Sequence, residues 1–169
     1  MASIASPACS ATESFQQFLR IRTVSGEGPK SGAYAEAAAW LAALATRAGL
    51  SVEIIEPVVC KPVVVARWAG RDPSLPCLLL NSHYDVVPAM EEHWDHDPWA
   101  ATLLENGRIV GRGTQDMKCV CVQYLLAVER LVASGFSPER DVVLTFVPDE
   151  EIGGKDGMGE FLKVGHATS

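Results

Sequence analysis

Hydrophobic side chains in the first third of the chain recur every three or four residues, which is the spacing of one face of an α-helix. Residues 15–22 show this period after Thr12, whose hydroxyl group can cap the start of a helix. An alanine-rich segment with several large apolar residues predicts a second helix from about residue 32 to Gly49, a left-handed cap. The same period predicts further helices over residues 120–132 and 157–164.

After residue 50 the hydrophobic period becomes that of strands, in short runs rich in β-branched residues between prolines and glycines. These runs occupy four segments: 52–55, 63–68, 77–81 and 142–147. Residues 78–80 are consecutive leucines, which is typical of a central strand covered on both faces. Asn106-Gly107 predicts the turn of a hairpin. Because strands alternate with helices, we expect an α/β domain: a three-layer sandwich with a mostly parallel central sheet flanked by helices.

Composition and charge narrow the class of protein further. The 169 residues are 48% hydrophobic and 21% charged, which is the profile of one globular domain. The formal net charge of −7 argues against a nucleic acid or an anionic membrane as partner. The five cysteines form no Cys-x-x-Cys pair, which argues against a zinc ribbon and fits a reducing compartment. Since the sequence shows neither a secretory signal nor an apolar stretch of membrane-spanning length, we expect a cytoplasmic protein.

Three short motifs that contain histidine or acidic residues stand where strands are expected to run out. They are Ser-His-Tyr-Asp-Val-Val-Pro at 82–88, Gly-Arg-Gly-Thr-Gln-Asp-Met-Lys-Cys at 111–119 and Phe-Val-Pro-Asp-Glu-Glu-Ile-Gly-Gly at 146–154. In open α/β sheets ligands gather at the carboxyl ends of strands, so the motifs need not be far apart in space. His83, Asp116 and Glu151 carry side chains that bind hard or borderline metal ions. Together they indicate a hydrolytic metal site, with zinc as the expected ion.

The first two motifs each allow a structural interpretation beside the chemical one. His83 and Asp85 lie on one face of an extended chain, so one ring nitrogen of His83 can bind metal while the other donates to Asp85. The alternative is a surface histidine beside a turn acid. Asp116 follows Gly111 and Gly113, which allow a tight turn, and precedes a predicted helix. Its carboxylate can bridge two metal ions, or it can cap the helix.

Three consecutive acids, Asp149, Glu150 and Glu151, follow the apolar run at 142–147. Like charges this close repel one another, so we expect a cationic group to compensate them. Successive side chains of an extended backbone point in opposite directions, so the two glutamates should differ in role. One can bind metal, and the other can hold a water molecule as general base. The alternative is a solvated acidic turn.

The motifs, in this order, resemble those of the dinuclear-zinc aminopeptidase and amidohydrolase family that includes carboxypeptidase G, acetylornithine deacetylase and aminoacylase. The resemblance extends from about residue 15 to residue 161. Besides the three motifs, the shared stretches are Phe-Leu-Arg-Ile-Arg-Thr-Val at 18–24 and Glu-His-Trp-Asp-His-Asp-Pro at 92–98. Cys119 stands where many relatives have glycine, which points to the aminoacylase branch.

The resemblance implies a role for each residue of the motifs. His83 is implied as a ligand of one zinc ion, with Asp85 bracing it, and Asp116 as the bridging carboxylate. Glu151 is implied as a ligand of the second zinc ion and Glu150 as the catalytic base. The implied reaction is hydrolysis of small N-acyl-L-amino acids to a free L-amino acid and a carboxylate, with two zinc ions as cofactor. Two alternatives stay open: a dipeptidase or exopeptidase of the same family, and a non-catalytic truncated product.

The resemblance also sets expectations for domain organisation. In the family, a further acidic residue and a distant histidine complete the two-zinc site, and a second, smaller domain mediates homodimerisation. We identify none of these in the sequence. We therefore expect a loose segment at residues 1–14, followed by the N-terminal part of a catalytic zinc-hydrolase domain at 15–169, without the dimerisation domain.

Overall fold

The computed structural model describes residues 10–164. Its α-helices are α1 (Ala11–Arg20), α2 (Gly28–Ser31), α3 (Ala33–Arg47), α4 (Lys118–Ala133) and α5 (Glu160–Lys163). Its strands are β1 (Ser51–Val58), β2 (Lys61–Trp68), β3 (Leu78–His83), β4 (Thr102–Leu103), β5 (Ile109–Val110) and β6 (Val142–Val147). Shorter turns are a 3₁₀ helix at Glu91–His93, another at Glu150–Ile152 and a π-helix at Lys155–Gly159. The sequence predicts one helix over residues 157–164, whereas the structure has the π-helix followed by α5 there.

The main sheet has four strands in the order β1-β2-β6-β3. β1 pairs with β2 and β2 pairs with β6 in antiparallel fashion, whereas β3 and β6 are parallel. The expectation of a mostly parallel sheet is therefore wrong for the described part of the chain. Only Val59 and Cys60 connect β1 to β2, and so short a connection can join antiparallel strands but not parallel ones. A long crossover that includes α4 joins β3 to β6, as parallel strands require.

The sheet has helices on both faces, which confirms the predicted α/β architecture of a central sheet flanked by helices. Helices α1, α3 and α4 contribute to the main core on one face, where the strands supply residues such as Val64 and Phe146. A smaller cluster on the other face joins Val63 and Val147 to Phe161 of α5. Adjacent residues of a strand serve the two clusters because their side chains alternate. No helix between residues 10 and 164 is long and apolar enough to span a membrane.

Strand β3 lies at the edge of the sheet. Among the described strands it pairs only with β6, and its residues Leu78 and Leu79 are 50% and 41% exposed. The expectation of a central strand covered on both faces is therefore wrong here. A run of leucines makes a strand suitable for burial, but the neighbouring elements decide whether it is covered.

Helix α1 begins earlier than the hydrophobic period predicts. Ser10 caps the helix instead of Thr12: the Ser10 hydroxyl accepts from the Glu13 amide, and the Glu13 carboxylate accepts from the Ser10 amide. This reciprocal pair satisfies two amides that would otherwise lack partners. Residues 11–14 therefore belong to α1 and not to a loose segment, while residues 1–9 of that predicted segment lie outside the described range.

Candidate metal centre

The carboxyl ends of β3 and β6 lie side by side, with His83 opposite Val147 in the parallel ladder. His83, Asp116 and Glu151 each place one ligand atom within 4.8 Å of the other two, and we call these three residues the ligand cluster. Along the chain the three motifs lie far apart, because the second motif lies within the crossover that joins β3 to β6 and the third follows β6. The prediction that the three motifs converge at one edge of the sheet is confirmed.

His83 is almost completely buried, and its two ring nitrogens face different partners. Nδ1 lies 3.1 Å from the backbone oxygen of Asp85 and 3.3 Å from its Oδ1. Nε2 lies 3.1 Å from Asp116 Oδ1 and 3.4 Å from Glu150 Oε2. Nε2 therefore faces the carboxylates, as the ligand of a metal ion would, while Asp85 holds Nδ1. This burial contradicts the alternative of a surface histidine.

The charges around His83 favour its protonated form in the metal-free chain. Burial lowers the pKa of His83, but the hydrogen bond and negative charge of Asp85 outweigh burial and raise the pKa to about 9. Near neutral pH both ring nitrogens therefore carry a proton, and the proton on Nε2 points into a group of carboxylate oxygens. A site that holds a proton in this way has the electrostatic character of a cation site.

Asp85 has no exposed surface, and its carboxylate has more partners than the sequence predicts. Oδ2 accepts from the Ser25 hydroxyl at 2.8 Å and from the Glu151 amide at 3.2 Å, and Oδ1 accepts from the Glu150 amide at 3.1 Å. Burial raises the pKa of Asp85, but the hydrogen bonds from His83 and Ser25 outweigh it, so the pKa is lowered and the carboxylate stays ionised. Asp85 therefore orients His83 and also fixes the backbone of residues 149–152, which we call the acidic turn.

Within the ligand cluster, the side chain of Asp116 lies on the solvent side, and Asp116 does not cap α4. The N-cap residue of α4 is Met117, and no side-chain hydrogen bond caps the helix, which contradicts the capping alternative. The side chain of Asp116 is 69% exposed, with Oδ1 beside His83. The preceding loop depends on Gly113, whose φ is +91° and where an added Cβ would lie 3.0 Å from Val86. The glycine thus lets the loop pass close to Val86, just beyond β3, and present Asp116.

Glu150 and Glu151 occupy different positions, although not for the reason that the sequence suggested. They lie in a 3₁₀ turn and not in an extended chain, so the alternation of strand side chains does not apply. The Glu150 side chain is 56% exposed and its Oε2 approaches His83. Glu151 belongs to the ligand cluster, and burial followed by the charge of Asp116 raises its pKa. The acidic turn therefore offers one carboxylate inside the cluster and one beside it.

The cation expected beside the three acids is Lys61, at the start of β2. Its Nζ lies 2.5 Å from Asp149 Oδ2, and the Tyr34 hydroxyl donates to Asp149 Oδ1 at 2.7 Å. Asp149 is 1% exposed, which contradicts the alternative of a solvated turn at this residue. Sequence reasoning identified neither partner, because both contacts join residues far apart in the chain and no local pattern records them.

Sequence reasoning also missed Lys118, which begins α4 and is completely buried. Its ammonium group donates to the backbone oxygens of Phe18 and Ile21 at the end of α1. The sequence does carry a signal for this burial, because Lys118 has the helical spacing of the buried residues that follow it: Cys121, Val122 and Leu125. Lys118 thus joins the end of α1 to the segment that presents Asp116.

Comparisons with known proteins show which proteins this chain is similar to. A model of the family described as Peptidase family M20/M25/M40 matches residues 79–168. Aminoacylase-1 of Sus scrofa is 50% identical over 149 residues, which are 88% of this chain and 36% of that protein. Aminoacylase-1 of Homo sapiens is 47% identical with the same coverage. The chain thus spans about a third of the length of these curated relatives.

A solved structure shows the same fold. The di-peptidase Dug1p of Saccharomyces cerevisiae is similar with a TM-score of 0.79 at 24% sequence identity, over 91% of this chain and 34% of that chain. At this identity the likeness concerns the arrangement of strands and helices, whereas activity depends on the site residues.

Proposed function

Because this chain belongs to the peptidase family M20/M25/M40, we propose that it forms part of a metal-dependent amidohydrolase that releases a free L-amino acid and a carboxylate from N-acyl-L-amino acids. The substrate class rests on the similarity to aminoacylase-1. The observation that carries the proposal is the convergence of His83, Asp116 and Glu151 beside the carboxyl ends of β3 and β6. The proposal includes the homodimer that the family resemblance implies.

The ligand cluster fits a zinc ion. Zinc accepts one imidazole nitrogen and two carboxylates, and a catalytic zinc ion has three protein ligands and one open position. A ligating imidazole is usually oriented through its other nitrogen, and Asp85 holds Nδ1 of His83 in this way. In a two-zinc site Asp116 would be shared between the ions, with His83 on one ion and Glu151 on the other. Such a site needs more ligands than the cluster of described residues supplies.

The protein side chains divide the work of hydrolysis as follows. Zinc, when bound, supplies Lewis acidity, which lowers the pKa of water and polarises an amide carbonyl. We assign Glu150 as the base that accepts the proton of the attacking water, because its carboxylate is more than half exposed and adjoins His83 from outside the ligand cluster. Glu150 then donates this proton to the nitrogen of the leaving amine. The Asp85 carboxylate keeps Glu150 in place because it accepts a hydrogen bond from the backbone amide of Glu150.

The activity test compares N-acetyl-L-amino acids with dipeptides as substrates of a zinc-loaded protein that contains this chain. We expect faster hydrolysis of the N-acetyl substrates. Glu150→Gln should keep its zinc and lose about 10²–10⁴-fold in turnover, because the amide cannot accept the proton of water. The matched variant Glu151→Gln should lose zinc affinity as well. Near-normal turnover of Glu150→Gln would remove Glu150 as the base, and preferential hydrolysis of dipeptides would indicate a dipeptidase of the same family.

A further inference from the structure

The residue that precedes the two glutamates, Asp149, has an unusual backbone conformation. Its φ of 61° and ψ of 21° are left-handed, a region that few residues other than glycine adopt and in which aspartate is among the better tolerated. Its carbonyl oxygen accepts from the amides of Ile152 at 3.3 Å and Gly154 at 2.7 Å. The conformation of Asp149 therefore sets the direction in which the chain leaves β6, and with it the position of Glu150 and Glu151.

The side chain of Asp149 is anchored to two other elements of the fold. Oδ1 accepts from the hydroxyl of Tyr34, a fully buried residue of α3. Oδ2 forms an ion pair with Lys61 of β2, which also pairs with Asp156 at 2.7 Å. A buried carboxylate is unfavourable unless it is paired and hydrogen-bonded, so these two partners determine where Asp149 can lie.

The acidic turn is thus held from two sides. On one side the Asp85 carboxylate accepts the backbone amides of Glu150 and Glu151. On the other side Tyr34 and Lys61 hold Asp149. These contacts fix the side chain of the first residue of the turn and the amides of the next two, and neither Tyr34 nor Lys61 belongs to the ligand cluster.

We propose that Tyr34 and Lys61 are positioning residues, which act through Asp149 to hold Glu150 and Glu151 against His83 and Asp116. The functional meaning of this arrangement rests on the proposed function, because it gives the two glutamates their roles as base and metal ligand. The structural part does not depend on metal: without the Tyr34 hydroxyl, the amides of the acidic turn should open more often.

The chain offers a matched control for the Tyr34 hydroxyl. Tyr84 is also fully buried, packs edge-on against the Tyr34 ring at 5.2 Å, and donates its hydroxyl to the backbone oxygen of Pro62 at 2.6 Å. Tyr84→Phe therefore removes the same chemical group from the same region of the core, with its hydrogen bond made to β2 and not to the acidic turn. A role in stability alone predicts the same behaviour for the two variants.

The experiment measures hydrogen exchange of the Glu150 and Glu151 amides by NMR in the metal-free 169-residue chain. Global unfolding of each variant is measured in parallel. Tyr34→Phe should lower the protection of these two amides by roughly tenfold beyond any change in global stability, because one buried hydrogen bond that holds the turn is lost. Tyr84→Phe should leave their protection unchanged after the same correction. Equal effects of the two variants, or no effect of Tyr34→Phe, would overturn the proposal.

Zinc affinity, measured by competition with a chromophoric chelator, supplies the second readout. Tyr34→Phe and Lys61→Met should each weaken zinc binding by about tenfold, as the loss of groups that orient metal ligands does. Lys61→Arg, which keeps the charge beside Asp149, should restore much of the affinity. If the wild-type chain shows protected amides but binds no zinc, the proposed function fails and the positioning of the turn stands. If zinc binds equally well to the wild type and to both disruptive variants, the positioning role is wrong.

Discussion

The residues around His83 favour the protonated form of its imidazole ring. Its buried ring lies between Asp85 on one side and the carboxylates of Asp116 and Glu150 on the other. Burial alone would favour the neutral ring, but the Asp85 interaction outweighs it, and the pKa of His83 is about 9. A metal ion that binds to Nε2 must therefore displace a proton.

Zinc binding should consequently become tighter as the pH rises. Well below pH 9 His83 is fully protonated, and it loses the proton only as the pH approaches that value. Between about pH 6 and about pH 8, the apparent affinity should increase by about tenfold per pH unit, because each ion displaces one proton. Chelator competition at several pH values measures this slope. His96→Ala, which removes an exposed histidine outside the cluster, should keep the slope, and an affinity independent of pH would contradict the protonated state of His83.

The sequence was sufficient to identify the site residues at the ends of the strands. It was not sufficient to identify the residues that hold these site residues in position. His83 and the three acids after β6 are recognisable because each group begins two residues beyond the end of an apolar run. The partners of Asp149 are not recognisable, since Tyr34 is 115 positions away from it and Lys61 reaches it only through the register of β2. The position of Asp85 beneath the acidic turn likewise depends on the pairing of β3 with β6.

Among the elements, the junction of α1 and α4 is the one most directly linked to the site. The last carbonyl groups of a helix have no partner within the helix. Here the carbonyl oxygens of Phe18 and Ile21 accept from the amides of Ile21 and Thr23 and also from the ammonium group of Lys118, which lies 3.2 Å from the Phe18 oxygen and 5.1 Å from the centre of the Phe18 ring. Burial lowers the pKa of Lys118 to about 7, because the ammonium group is removed from water.

Lys118→Met should destabilise the chain by about 1–3 kcal/mol, because two buried carbonyl oxygens each lose one of their two hydrogen bonds, the one from the ammonium group, while the volume of the side chain is nearly kept. Urea unfolding followed by circular dichroism measures the change. Lys30→Met, which alters an exposed lysine of α2, should change the free energy of unfolding by no more than about 0.5 kcal/mol. Equal stability of the two variants would show that Lys118 does not hold the junction.

Helices and strands were predicted at nearly the right places, whereas strand direction was not. The hydrophobic period is a local property, so α3 and the four strands of the main sheet follow from it. Direction depends on how strands are connected. The tight connection from β1 to β2 escaped notice because Cys60, which has a φ of 62°, is not a residue typical of turns. The pair β1–β2 was therefore not recognised as a hairpin.

Taken as a whole, the described molecule is a sheet that brings distant motifs to one edge. The main core lies between the sheet and the helices α1, α3 and α4, and it gives β3 and β6 a fixed relation to each other. The crossover between these strands presents Asp116, and the turn after β6 presents Glu150 and Glu151. The site is therefore a property of the assembled fold, because none of its motifs contains a complete set of ligands.

The most direct test of this account is to locate zinc in crystals of the chain by anomalous diffraction at the zinc absorption edge. We expect a zinc peak at the ligand cluster, at about 2.0–2.2 Å from a carboxylate oxygen of Asp116 and from His83 Nε2, Glu151 or both. In crystals of Glu151→Gln the peak should be much weaker. A zinc peak confined to the exposed histidines His93 and His96, with none at the ligand cluster, would contradict the account.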